Sequence, residues 1–164
     1  MRYDLLYHNE LDMKSLEKDF SKTIKQLQAA DFKSADVCKM GNTGFYRARL
    51  NIKDRLLFTP VKHNNQTYLL LLEWIKDHNY ARSRFLRGAL LPPDDQLMAV
   101  TDTDLEADVS IKKLSYLNPG ERHVNILNKF ISFDEIQTAV MSLPFPLILI
   151  DSAGSGKTAL VLEN

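Results

Sequence analysis

The segment Gly154-Ser155-Gly156-Lys157-Thr158 has the residue types and the order needed to hold a polyphosphate. Glycines let backbone N–H groups close around phosphate oxygens, and a helix starting at the loop adds its partial positive charge. Lys157 would reach the β- and γ-phosphates of ATP, and the Thr158 hydroxyl would ligate the accompanying Mg²⁺. The flanking sequence fits that use. Leu147-Ile148-Leu149-Ile150 reads as a buried strand leading into the loop, and Ala159-Leu160-Val161-Leu162 as the opening of a helix. Strand, Gly-rich loop, Gly-Lys-Thr and helix is the order that a P-loop, or Walker A motif, requires. One position departs from the pattern. The usual first glycine is Asp151, and a carboxylate ~4 Å from a phosphate charge costs about 4 kcal/mol at a surface-like dielectric. Asp151 must therefore point away from the nucleotide, or binding is weakened.

A second set of candidates lies in the first half of the chain, where the charge is unevenly divided. Residues 1–90 carry 16 Lys/Arg against 10 Asp/Glu, a net of +6, and residues 91–164 carry 5 against 11, a net of −6. A basic half can attract a polyanion such as nucleic acid; the plainer alternative is that surplus lysines solvate a helix face. Arg47, Arg49 and Arg55 fall on adjacent expected strands, and as one patch they would neutralise the phosphates of single-stranded DNA or RNA.

The elements that must position these groups read as β-α-β-β-β-α. Tyr3 to Tyr7 is a short strand, and Asp12 is the expected N-cap of a helix reaching about Ala30, with Leu16, Phe20, Ile24 and Leu27 as its apolar stripe. Phe45 to Ile52 alternates, with Tyr46, Ala48 and Leu50 on one face and Arg47 and Arg49 on the other. Arg55 to Val61 is the next strand, with Pro60 marking an end, an edge or a bulge. After a turn at residues 62–66, Tyr68 to Ile75 is nearly all apolar, as in a central strand covered on both faces. Ala81 to Leu90 is expected to be helical. Pro92-Pro93-Asp94-Asp95 then marks a boundary. The expected organisation is thus an α+β domain over 1–91, an acidic linker or loosely attached segment over 92–125, and the start of a P-loop α/β nucleoside-triphosphatase domain over 126–164.

Composition narrows the setting. The 45% hydrophobic and 26% charged shares are those of a globular protein, and no apolar run approaches the ~20 residues of a membrane span. Cys38 is the single cysteine, which leaves no disulfide framework and suits a reducing cytoplasm. Met1-Arg2-Tyr3-Asp4 lacks the layout of a secretory signal.

Two resemblances join these readings. Phe133-Asp134-Glu135-Ile136-Gln137-Thr138-Ala139-Val140, then an apolar strand, then Ala153-Gly154-Ser155-Gly156-Lys157-Thr158, resembles the start of UvrD/Rep-type superfamily-one helicases over residues 131–164. The resemblance implies ATP-driven translocation on DNA or RNA, with Gln137 reading the adenine edge. The chain stops six residues after Thr158, so the expectation is an N-terminal fragment of such a helicase that does not hydrolyse ATP by itself.

Residues 2–90 in turn resemble RelE/ParE-type toxins, through Phe45-Tyr46-Arg47-Ala48-Arg49-Leu50, Arg55-Leu56-Leu57-Phe58, Leu70-Leu71-Leu72-Glu73 and His78-Asn79-Tyr80. That resemblance implies a small antiparallel sheet with helices, and a ribosome or another protein as a partner. In the ribonuclease branch of the family it assigns Arg55 to the strand arginine and His78 or Tyr80 to the terminal acid/base, with Arg47 and Arg49 holding the backbone. The expectation for this chain is a non-catalytic nucleic-acid-binding or docking module. The alternative is an mRNA-cleaving toxin domain fused to an ATPase.

Overall fold

A run such as Leu69-Leu70-Leu71-Leu72 puts apolar side chains on both faces of a strand, so it is stable only with cover above and below. A computed structural model describes residues 2–11, 17–108, 111–114, 117 and 122–124, and in it this run is the centre of the sheet. The described elements are, in chain order, β1 (Asp4–His8), α1 (Glu17–Gln28), β2 (Cys38–Lys39), β3 (Tyr46–Arg49), β4 (Arg55–His63), β5 (Gln66–Ile75), β6 (Met98–Ala99), α2 (Asp102–Glu106), β7 (Lys112–Lys113) and β8 (His123–Val124). The expected N-cap Asp12, Leu16 of the helix stripe and everything from 125 onward lie outside the described residues.

The described strands form one eight-stranded, mostly antiparallel sheet in the order β6-β2-β3-β4-β5-β1-β8, with β7 against β4. With few helices, the fold is α+β. β4 and β5 join through Asn64-Asn65, both at positive φ (47° and 63°), and His63 pairs with Gln66. Asparagine tolerates that backbone region, and two such residues match the right-handed twist of a hairpin. β1 lies parallel to β5, with Leu5 beside Leu69 and Leu6 beside Leu70. Pro60 sits between Phe58, the last residue of β4 that β3 pairs, and Val61, the first that β7 pairs. Such a gap tolerates a missing donor. The register shift in β4 falls at Leu57/Phe58 instead.

Alternation along the strands divides the core in two. Phe20, Leu27 and Ile24 of α1 pack with Tyr3, Leu5, Tyr46, Ala48, Leu56, Phe58, Leu69 and Leu71. The other face gathers Leu6, Leu57, Val61, Leu70, Leu72 and Ile75 under Leu86, with Phe85, Leu91 and Leu97 at the margin.

The cover of that second face departs from expectation. Instead of a helix over Ala81–Leu90, the chain makes two short 3-10 turns, Lys76–His78 and Tyr80–Arg82, followed by irregular turns. Three local causes are visible. The Ser83 hydroxyl accepts the N–H groups of Phe85 and Leu86 (both 3.2 Å) while donating to Glu73 (2.6 Å), bonds that compete with a helical ladder. Asp77 and His78 hold left-handed φ of 49° and 54°, and Gly88 has φ +79°, so the backbone leaves helical geometry at both ends of the segment. β3 is likewise shorter than the expected Phe45–Ile52, because Asn51 Oδ1 takes the N–H of Lys53 and Asp54 (2.8 Å each) and turns the chain.

Residues beyond the Pro92-Pro93 boundary also join this sheet. Met98–Ala99 pairs with β2, Lys112–Lys113 with β4 and His123–Val124 with β1. α2 starts on a capping box, in which the Thr101 hydroxyl accepts from Asp104 N–H and the Asp104 carboxylate accepts from Thr101 N–H. The Tyr3 hydroxyl donates to Asp102 (2.7 Å), and the Tyr46 hydroxyl and Lys39 ammonium both reach Asp108 (2.5 and 2.8 Å). Among the described residues, no helix is long and apolar enough to cross a membrane.

Candidate anion site

Residues opposite one another on antiparallel strands project to the same face, as do residues two apart on one strand. Arg49 pairs with Arg55, and Arg47 stands two residues along β3. The three arginines therefore share the face that the segment after β5 covers. Their exposure differs from the expected wet patch. Arg49 is exposed, but Arg47 and Arg55 are each 5% exposed. The Arg-x-Arg alternation marked the face correctly and its solvation wrongly, because residues 76–94 lie over it.

Arg55 is partly a structural residue. Its Nη1 donates to the carbonyls of Asn51 (2.9 Å), Asp54 (3.0 Å) and Ile52 (3.5 Å), which holds the β3–β4 connection. Its Nε is buried without a hydrogen-bond partner. Burial, and then the neighbouring Arg47 charge, depress its pKa from the usual guanidinium value. Arg47 lies between two carboxylates, with Nη1 3.5 Å from Asp36 and Nε 3.7 Å from Asp94. These are ion-pair distances, but neither contact is a hydrogen bond, and both nitrogens are buried and unpaired. Buried N–H groups left unpaired cost about 1–3 kcal/mol each, so their presence calls for a reason.

Asp94 ties the cluster together. One carboxylate oxygen accepts from His78 Nδ1 at 2.6 Å and the other from the Tyr80 hydroxyl at 3.0 Å. Burial resists its ionisation, but the His78 hydrogen bond, the Arg47 charge and the Tyr80 hydrogen bond prevail and hold the carboxyl below the usual carboxylate range. Burial pushes the Tyr80 hydroxyl up and outweighs the opposing Arg47 charge, so Tyr80 keeps its proton. His78 Nε2 faces the Ile52 carbonyl at 3.2 Å. A carboxylate and a carbonyl both accept, so only the doubly protonated ring donates both bonds at once.

A buried guanidinium, an imidazole and a phenol thus meet one carboxylate, Asp94, with the Arg55 guanidinium close by on the same face, an arrangement whose chemistry suits an anion. The structure brings Arg47, Arg55, His78 and Tyr80 together from three separate stretches of sequence, with Arg49 at the open edge. Asp94 and Asp36 were not among the expected site residues. Asp94 was visible only as part of the Pro-Pro-Asp-Asp boundary, and no local pattern says that a residue 16 positions after His78 returns to it. Gln137, Gly154, Ser155, Gly156, Lys157 and Thr158, the expected nucleotide and Mg²⁺ ligands, lie outside the described residues. Comparison with protein-family models, curated proteins and solved structures finds no match to the chain.

Proposed function

We propose that residues 1–91, with the later segments up to Val124 that pair onto the same sheet, form a RelE/ParE-like module that binds single-stranded nucleic acid without cleaving it, in front of a UvrD/Rep-type helicase motor driven by ATP and Mg²⁺ in the cytoplasm. The observation that carries the first half is the convergence of Arg47, His78 and Tyr80 on a single carboxylate, with the buried Arg55 on the same face. These are positions that the toxin resemblance selects from sequence, and their shared ligand chemistry is that of a phosphate. The motor half is supported by the order of Gln137, the apolar strand, Lys157 and Thr158 along the chain.

Binding without cleavage follows from how the proton-transfer groups are engaged. His78 Nδ1 and the Tyr80 hydroxyl meet Asp94 while His78 Nε2 is turned onto the Ile52 carbonyl, whereas a general base must present a free lone pair within reach of the attacking hydroxyl. The same clustering favours a second reading, ribosome-dependent mRNA cleavage, in which Arg55 would stabilise phosphate charge while the RNA 2′-hydroxyl attacks.

Fluorescence anisotropy with labelled single-stranded RNA and DNA separates the readings. Binding should be weak, sequence-tolerant and salt-dependent, each neutralised phosphate contributing about −0.7 to the log–log salt slope. Arg47→Ala with Arg49→Ala should lower both affinity and slope. Ribosome-dependent cutting that disappears on Arg55→Ala would replace this reading with the toxin one. No binding at low salt would leave a protein-docking module.

A further inference from the structure

We infer that Asp94 is an internal stand-in for a phosphate, so that the chain's own strap, residues 92–97, masks the anion site until a phosphate group displaces it. The inference rests on the reading that this face meets a phosphate-bearing ligand. It adds that the site is self-occupied, and that the occupant must leave.

The first support is the identity of the partners. Asp94 receives an imidazole N–H, a phenol O–H and the charge of a buried guanidinium. These are groups that hold phosphate oxygens through charge-assisted bonds. The second is the poor fit of the occupant. Arg47 Nε stops 3.7 Å from the carboxylate, and Arg47 Nε, Arg47 Nη1 and Arg55 Nε all remain buried without a hydrogen bond. A planar carboxylate offers two oxygens and one charge. A tetrahedral phosphate offers more oxygens, splayed out of one plane, and can reach donors that the carboxylate leaves unpaired.

The third support is how the strap is mounted. Asp94–Gln96 is a single 3-10 turn whose backbone bonds are local, Gln96 N–H to Pro93 and Leu97 N–H to Asp94. Leu90 is 97% exposed on one side of it and Met98 70% on the other. Firm attachment resumes at β6, where Met98 and Ala99 pair with Lys39 and Cys38 and Val100 N–H reaches the Val37 carbonyl. Lifting residues 92–97 therefore breaks few hydrogen bonds outside the Asp94 cluster and gives up only the marginal packing of Leu97 on the second core. The fourth is the left-handed backbone of His78, held by its N–H on the Lys53 carbonyl. Non-glycine residues in that region persist where the surroundings over-determine them, commonly at ligand clamps.

The test uses the full chain and reads the site locally, through the Arg47 and Arg55 side-chain Nε–Hε NMR resonances, so that phosphate bound near Lys157 does not contribute. Inorganic phosphate is titrated into wild type, Asp94→Asn, Asp94→Ala and the neighbouring Asp95→Asn. If the strap is closed about 90% of the time, the apparent affinity of wild type is lowered about tenfold. Both Asp94 variants should then bind phosphate about tenfold more tightly than wild type, with Asp95→Asn unchanged. Equal or weaker phosphate binding in both Asp94 variants, or none in any variant, overturns the inference. The same titration with a short single-stranded RNA distinguishes the two sources of phosphate. Tightening with phosphate but not with RNA leaves the masked site standing and removes the nucleic-acid reading. RNA binding, with phosphate binding that is indifferent to Asp94, does the reverse.

Discussion

The face of the sheet under α1 buries Tyr3, Leu5, Tyr46, Ala48, Phe58, Leu69 and Leu71, and its tyrosine hydroxyls are satisfied at the rim, where Tyr3 and Tyr46 reach Asp102 and Asp108, while the neutral Trp74 indole N–H is left buried without a partner. The opposite face buries two guanidinium groups with three N–H nitrogens unpaired. Both faces belong to the same strands and differ by one residue in register, so the contrast cannot come from strand geometry. Apolar burial stabilises the fold on both faces. Charge on the second face costs desolvation that the loose pairing with Asp36 and Asp94 does not recover. Among the described residues, buried charged groups left without hydrogen bonds fall on the second face, and such breaks of the local rules concentrate at functional sites.

The contrast fails most visibly if the α1 face proves dispensable. Leu69→Ala, at a fully buried position, should cost about 2–5 kcal/mol in denaturant unfolding. A loss well under 1 kcal/mol would mean that this face is not the packed core described.

The basic face should respond through charge instead. Arg47→Met removes one partner of a buried ion pair, a change that costs about 3–5 kcal/mol where the remaining charge stays buried. The lower end is expected, because the side chains of Asp36 and Asp94 are 43% and 35% exposed. Nucleic-acid binding should fall in the same variant. Marked destabilisation with binding intact would make Arg47 a structural residue.

The smallest effect is in pH. The Asp94 carboxyl sits below the ordinary carboxylate range in the folded chain, against an unfolded value of about 3.9. Folding therefore favours its ionised form, and that contribution is present at neutral pH and fades as the pH falls below about 4. The stability difference between wild type and Asp94→Asn should shrink over that window in acid-titrated denaturation curves. A difference independent of pH would separate Asp94 from the ion network.

What the sequence made legible follows the range of the interactions. The leucine run of β5, the alternation of β3 and the Phe20-Ile24-Leu27 stripe depend on neighbours a few residues away, and they hold. The helix expected over Ala81–Leu90 failed because its composition suits a helix while Ser83, reaching across to Glu73, diverts the N–H groups that a helix needs. Among the site residues, Arg55, His78 and Tyr80 were legible through their place in an ordered series of segments. Asp94 was not, since its role depends on a return contact that only the folded chain defines. The phosphate-loop residues, the most local signal of all, fall where the structure describes nothing.

The parallel pairing of β1 with β5 has a consequence for the order of assembly. Leu5 and Leu69 are neighbours across the sheet, yet the chain between them is long, so closing that contact costs far more loop entropy than closing the β4–β5 hairpin across Asn64-Asn65. The hairpin should form early and the first strand should dock late, however soon it leaves the ribosome. Substitution at Leu57 should then slow refolding, and substitution at Leu5 should chiefly speed unfolding; equal effects on the folding rate would rule that order out. The strand at the start of the sequence would thus be among the last to join the centre of the sheet.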